Sequence, residues 1–67
     1  MNFKLIFNNK EEIKTLNNDN TPINDILEDM NLSSETIVVK KNGNIVVEDE
    51  IISNGDEIQI IQIIYGG

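Results

Sequence analysis

A chain of 67 residues is long enough for one domain and no more, and folding at this size buries only about 60% of the surface that the unfolded chain exposes. It has neither cysteine nor histidine, which removes disulfides, thiol chemistry, the commonest general base and the commonest metal ligand, so an enzyme is not expected. Lysines number five, arginine is absent, and twelve acids bring the net charge to −7; this argues against nucleic acid or anionic lipid as a partner and suits a protein partner with a basic surface.

The first element in chain order is a strand from Asn2 to Phe7. Phe3, Leu5 and Phe7 alternate with Lys4 between the first two, the pattern of a half-buried strand, although Ile6 breaks the polar side. Asn8-Asn9 supplies a turn, because asparagine tolerates positive φ. Lys10 to Leu16 reads as a second, weaker strand anchored by Ile13, and the short connection makes the pair an antiparallel hairpin. A polar loop, Asn17 to Asn20, follows.

Thr21-Pro22 reads as a helix start, with Thr21 as N-cap and Pro22 at the first helical position. Ile23, Ile26, Leu27 and Met30 then fall at i, i+3, i+4 and i+7, one apolar stripe of an amphipathic helix. Asn24, Asp25, Glu28 and Asp29 form its solvated face, with no metal-loop spacing. So short a helix needs a sheet beneath its stripe. Asn31 is expected to end it, with Leu32 tucked back under.

Thr36 to Lys41 is the third strand, with Ile37 and Val39 on one face and Val38 and Lys40 on the other. Asn42-Gly43 signals a type I′ turn into a return strand from Asn44 to Val47. Glu48-Asp49-Glu50 forms a bend, Ile51 and Ile52 cover the edge of the core, and Ser53 to Asp56 turn the chain again. The last strand starts at Glu57 and is the most β-branched. This order gives an α+β two-layer domain, a mixed sheet of four to five strands packed on one helix. The final strand belongs in the middle, parallel to the first, because the helix crossover permits that direction.

Parity along the final strand separates two sets of residues. Ile58 and Ile60 face the helix. Ile61, Ile63 and Tyr65 fall on the opposite face, where an exposed apolar cluster suggests partner binding. Gly66 and Gly67 follow, and glycine lowers order. Residues 1–64 are therefore expected to form the domain and 65–67 a flexible tail ending in the α-carboxylate of Gly67. No apolar run approaches the roughly 18 residues of a spanning helix, and no signal peptide is visible, so a cytoplasmic location is expected.

Asn54-Gly55-Asp56-Glu57-Ile58, the hydrophobic strand after it and Gly66-Gly67 resemble the ubiquitin-like sulfur carriers of the ThiS and MoaD kind, and the small archaeal ubiquitin-like modifiers. The hairpin from Thr36 to Val47 around Asn42-Gly43 is similar to the middle of those proteins. Thr21-Pro22-Ile23 with Asp25-Ile26-Leu27 resembles their helix entry. The resemblance spans essentially the whole chain. MoaD-type chains tend to be longer and to carry prolines before the glycines. Here Ile63-Ile64-Tyr65 stands in that place, which moves the likeness toward ThiS and the small modifiers.

The resemblance implies a β-grasp, ubiquitin-like fold. It further implies a carrier that catalyses nothing itself: Gly67 is adenylated by an activating enzyme and converted to a thiocarboxylate that donates sulfur. Thiamin thiazole synthesis, molybdopterin synthesis and tRNA thiolation are the candidate pathways. ATP and magnesium belong to the activating partner, since no phosphate loop occurs here and no cofactor is expected on this chain. The other implied partners are a sulfur donor and a sulfur-accepting synthase. The free chain is expected to be a monomer. A modifier joined to lysines through Gly67 is one alternative, and a plain β-grasp interaction module is another. An iron–sulfur carrier is excluded by the missing cysteines.

Overall fold

The computed structural model describes residues 1–63. The elements are β1 (Asn2–Phe7), β2 (Lys10–Thr15), α1 (Ile23–Asp29), a 3₁₀ turn (Ser34–Thr36), β3 (Ile37–Lys41), β4 (Asn44–Val46) and β5 (Glu57–Gln62). The expected α+β sheet-on-helix architecture is present. The sheet order is β2-β1-β5-β3-β4, with β5 central. β5 runs parallel to β1 and antiparallel to β3. Both two-residue hairpin turns have positive φ at each central residue, Asn8 and Asn9 in one, Asn42 and Gly43 in the other. That is the type I′ geometry whose twist suits a hairpin.

The core lies between the sheet and α1. Phe3 and Leu5 of β1, Ile37 and Val39 of β3, and Ile58 and Ile60 of β5 meet Ile23 and Leu27 of the helix, with Ile52 closing one side. Ile26 and Met30 flank the stripe half-buried. The helix ends as its sequence asks. Asn31 adopts φ 57°, the Asn31 N–H donates to Glu28 O at 3.0 Å, and the Leu32 N–H donates to Leu27 O at 2.9 Å. These two bonds make a Schellman ending with asparagine in the left-handed position.

Several expectations are corrected. Ile13 is no anchor: it is 67% exposed, and every residue of β2 is exposed. The register pairs Ile13 with Lys4, which places it on the face away from the helix. The positions on the helix side are Lys10, Glu12 and Lys14, opposite Phe7, Leu5 and Phe3. A seven-residue helix, about 10 Å long, does not reach over this edge strand. The strand stops at Thr15, and Leu16 is the residue that packs on the core.

Thr21 is not the N-cap. Pro22 holds that position with extended backbone (φ −77°, ψ 156°) and no side-chain cap. Residues 21 and 22 are drawn into an extended contact with the segment around Ile51: Pro22 bridges Ile51, and the Ile52 N–H donates to Thr21 O at 2.9 Å. The exposed N–H groups of the first helical turn find other acceptors. Ile23 N–H donates to Glu50 O and Asn24 N–H to Glu48 O, each at 2.9 Å. The acidic bend thus caps the helix through its backbone carbonyls, which satisfies donors that every helix start leaves open.

Three smaller differences concern boundaries and burial. Thr36 belongs to the 3₁₀ turn, where Ser33 Oγ accepts from the Glu35 N–H at 3.2 Å, so β3 begins at Ile37. β4 ends at Val46, one residue early. Of the pair expected to cover the core edge, Ile52 is fully buried and Ile51 exposed. Among the described residues no helix is long and apolar enough to cross a membrane.

Candidate functional site at the end of the central strand

β5 alternates sharply until its last turns. Ile58 and Ile60 point into the core at 0% and 3% exposure, while Ile61 and Ile63 are 39% and 36% exposed. The strand keeps a neighbour on one side to the end: Ile61 pairs with Val38, and the Ile63 N–H donates to Thr36 O at 2.8 Å. On the other side its pairing with β1 ends at Phe7 and Ile60. Beyond that point the Asn8-Asn9 turn leaves a groove of about 440 Å³ beside β5, lined by Ile6, Phe7, Gln59, Ile61 and Gln62 among others.

The outer face of the sheet has two characters. At the end where β5 begins it is charged: Lys4 lies 3.3 Å from Glu11 and 3.9 Å from Glu57. At the end where β5 finishes, Ile61 sits beside Val38, with Ile6 on the neighbouring strand one step back in register. The structure therefore places Ile61 and Ile63 together, uncovered, where the chain leaves the sheet. Tyr65, Gly66 and Gly67, with the boundary expected at residue 64, lie outside the described residues. Among the described residues no group of three or more His, Cys, Asp or Glu side chains could hold a metal ion.

One constellation went unread in the sequence. Asp56 is buried just before β5, and its carboxylate accepts from the Ser53 N–H at 2.7 Å and from Asn42 Nδ2 at 3.0 Å. Lys41 Nζ lies 3.6 Å from it, donates to Glu50 Oε2 at 3.2 Å and to Ile51 O at 2.9 Å. Asn42 also clips the start of β5 twice: its Oδ1 accepts from the Glu57 N–H at 2.9 Å, and its own N–H donates to Glu57 O at 2.8 Å. Burial pushes the Asp56 carboxyl up, but the Asn42 and Ser53 hydrogen bonds and the Lys41 charge outweigh it and hold the pKa below the ordinary aspartate value. The available signal was parity. Lys41 continues the inward series Ile37, Val39, and a lysine on a core face requires an acid to meet it.

Sheet order, the parallel β1–β5 pair and the single crossing helix define a β-grasp, ubiquitin-like domain. Solved structures share it, among them the following two. A thiamine biosynthesis protein (ThiS) from Geobacter metallireducens superposes with a TM-score of 0.65 at 17% identity, over 96% of this chain and 99% of that one. A ubiquitin-like protein from the hyperthermophilic archaea Caldiarchaeum subterraneum gives 0.67 at 14%, over 98% and 100%. Likenesses at such identity speak for the fold alone. The ThiS family model matches residues 5–67, and the chain belongs to the ThiS family. With the family comes the general role of a sulfur carrier, a small protein that is not itself an enzyme and works with an activating enzyme and a sulfur-accepting partner.

Proposed function

We propose that this protein carries sulfur as a thiocarboxylate on Gly67. The observation that carries the reading is a family match that runs through residue 67, behind a strand whose end exposes Ile61 and Ile63. In the first step the Gly67 carboxylate attacks the α-phosphorus of ATP held by the activating enzyme. A C–O–P linkage forms and pyrophosphate leaves. Hydrosulfide released by the donor then attacks the activated carbonyl, the C–O bond to AMP breaks, AMP departs, and the thiocarboxylate remains. This chain supplies the acyl group and the docking face. It binds no cofactor of its own, and the nucleotide and magnesium stay with the partner, in the cytoplasm.

Glycine at 66 and 67 suits a narrow channel, because backbone without Cβ atoms can be approached from either side. Ile61, Ile63 and Tyr65 form the apolar centre of the contact, and the acidic surface around them forms a rim that speeds encounter with a basic partner. The match to the ThiS family makes thiazole synthesis the pathway to test first, ahead of molybdopterin synthesis and tRNA thiolation. An activated Gly67 would equally serve a second reading, a modifier in which a lysine amine replaces sulfur as the nucleophile. Both readings share the activation step. ATP–pyrophosphate exchange with an activating enzyme tests it: exchange is expected with the whole chain and lost when Gly67 is deleted. Equal exchange by the two would overturn the proposal.

A further inference from the structure

Asparagine precedes glycine twice in this chain, at Asn42-Gly43 and at Asn54-Gly55. Such a step is prone to lose the side-chain amide. The glycine nitrogen gives its proton to a base in solvent and attacks the asparagine Cγ. The new N–Cγ bond closes a five-membered succinimide, the bond from Cγ to Nδ2 breaks, and ammonia leaves. Water then opens the ring at either carbonyl, giving aspartate or its isoaspartyl isomer. Glycine favours the closure because it has no Cβ to obstruct it. Both glycines stand in open space, so crowding does not tell the two steps apart. Hydrogen bonding does.

At Asn54-Gly55 the fold withholds the nucleophile. The Gly55 N–H donates to Asn2 O at 2.7 Å, and Asn54 Oδ1 accepts from the Asn2 N–H at 2.9 Å. The contact runs on, with the Lys4 N–H donating to Asp56 O at 2.9 Å, and Asn2 is itself paired with Thr15 of β2. Freeing the Gly55 nitrogen therefore means lifting this turn off β1. At Asn42-Gly43 the nucleophile is open: among the described residues the Gly43 N–H has no hydrogen-bond acceptor. What restrains this step is the electrophile. Asn42 Oδ1 accepts from the Glu57 N–H at 2.9 Å, and its Nδ2 donates to Asp56 Oδ1 at 3.0 Å. Releasing one side chain in an exposed two-residue turn is a local event, and local openings cost less than larger ones.

We propose that Asn42, not Asn54, is the Asn-Gly deamidation site of the folded protein, and that Asp56 guards it by holding its amide nitrogen. The product undoes the clip at the start of β5. An aspartate at position 42 puts a carboxylate oxygen where the amide donor stood, against the Asp56 carboxylate that the donor reached at 3.0 Å. Two like charges so close repel, and Asp56 loses one of its hydrogen bonds. The isoaspartyl form also adds a main-chain carbon to the turn that sets the β3–β4 register. Either product loosens the clip, and neither returns to asparagine. None of this rests on the sulfur-carrier reading.

Peptide mapping of the full chain during incubation in warm, mildly alkaline buffer tests the proposal, with aspartate and isoaspartate measured at both positions. In strong denaturant the two steps should react at similar rates. In the folded parent Asn42 should react faster than Asn54. Asp56→Asn keeps the size of the side chain but leaves one acceptor oxygen for two donors, the Ser53 N–H and Asn42 Nδ2. It should speed the reaction at Asn42 by about tenfold, because a hydrogen bond to a charged acceptor is lost, and speed Asn54 far less. The Asn54 rate thus reports on general unfolding within the same molecule. Asn54 reacting as fast as Asn42 in the folded parent would overturn the assignment. Asp56 would cease to be the guard if the variant left the Asn42 rate unchanged or raised both rates alike. An Asn42 that stayed intact in the folded variant long after the denatured chain had converted would equally overturn the proposal.

Discussion

The two ends of β5 are held by different chemistry. Where the strand begins, its backbone is clipped by Asn42, and Asp56 draws in Ser53, Asn42 and Lys41. Where it finishes, side-chain hydrogen bonds are absent among the described residues, pairing to β1 has stopped, and Ile61 and Ile63 face outward. Between the ends, Ile58 and Ile60 fasten the strand to the helix. The difference teaches how one strand serves two purposes. Polar chemistry fixes register at the entry, the core anchors the middle, and the exit leaves apolar side chains uncovered, the face we propose for docking.

The comparison is broken most forcefully in the middle. Ile60→Ala should cost about 2–5 kcal/mol, as removal of a buried aliphatic side chain does. A domain of this length has little more stability than that, so urea unfolding should show a near-complete loss. A variant as stable as the parent would mean that Ile60 contributes nothing to the core.

At the entry the effect should be smaller. Asp56→Ala removes the acceptor for the Ser53 N–H and Asn42 Nδ2 and the partner of Lys41, for a loss of about 1–3 kcal/mol in urea unfolding. A pH series sharpens this. The Asp56 pKa is lower folded than unfolded. A carboxyl of that kind contributes stability above its unfolded pKa, about 3.9 for aspartate, and the contribution fades as pH falls from there through the folded value. The stability gap between the parent and Asp56→Asn should therefore narrow on acidification below about pH 4. A gap independent of pH would assign the Asp56 contribution to something other than its charge.

The exit should behave in the reverse manner. Ile61→Asp should leave stability within about 0.5 kcal/mol, since surface changes usually do, yet sharply reduce adenylation by the activating enzyme. A thermal melt and an exchange assay on this variant decide the matter. Loss of folding would place Ile61 in the core, and loss of neither property would put the docking face elsewhere. The smallest effect belongs to Ile13, more exposed than Ile61 and at the charged end of the sheet, across from Lys4. Ile13→Thr should shift stability by no more than about 0.5 kcal/mol and leave adenylation unchanged.

Legibility in the sequence followed the range of the interactions. Alternation in β1, the stripe on α1 and the Asn42-Gly43 turn are local, and each was read correctly. The parity that turns Ile58 and Ile60 inward and leaves Ile61 and Ile63 outside is equally local. Ile13 misled because its phase is set by the register with Lys4 across the hairpin, which the weak pattern of β2 does not reveal. Thr21-Pro22 misled because Ile51 and Ile52, thirty residues on, hold that segment extended. The Asp56 cluster joins the end of β3 to two turns and a bend, so only the lysine at an inward position of β3 hinted at it. The entry of the strand is a tertiary object, whereas its exit is written in consecutive residues.

The most direct test of the sulfur-carrier reading is the intact mass of the protein isolated from its native cells, followed by mass analysis of its C-terminal peptide. A fraction carrying one sulfur in place of one oxygen, confined to Gly67 and absent from protein in which Gly67 has been removed, is predicted. If the peptide carried only the ordinary carboxylate while the same cells were actively using a sulfur-carrier pathway, or if Gly67 were found solely in amide linkage to lysines of other proteins, the account would be contradicted.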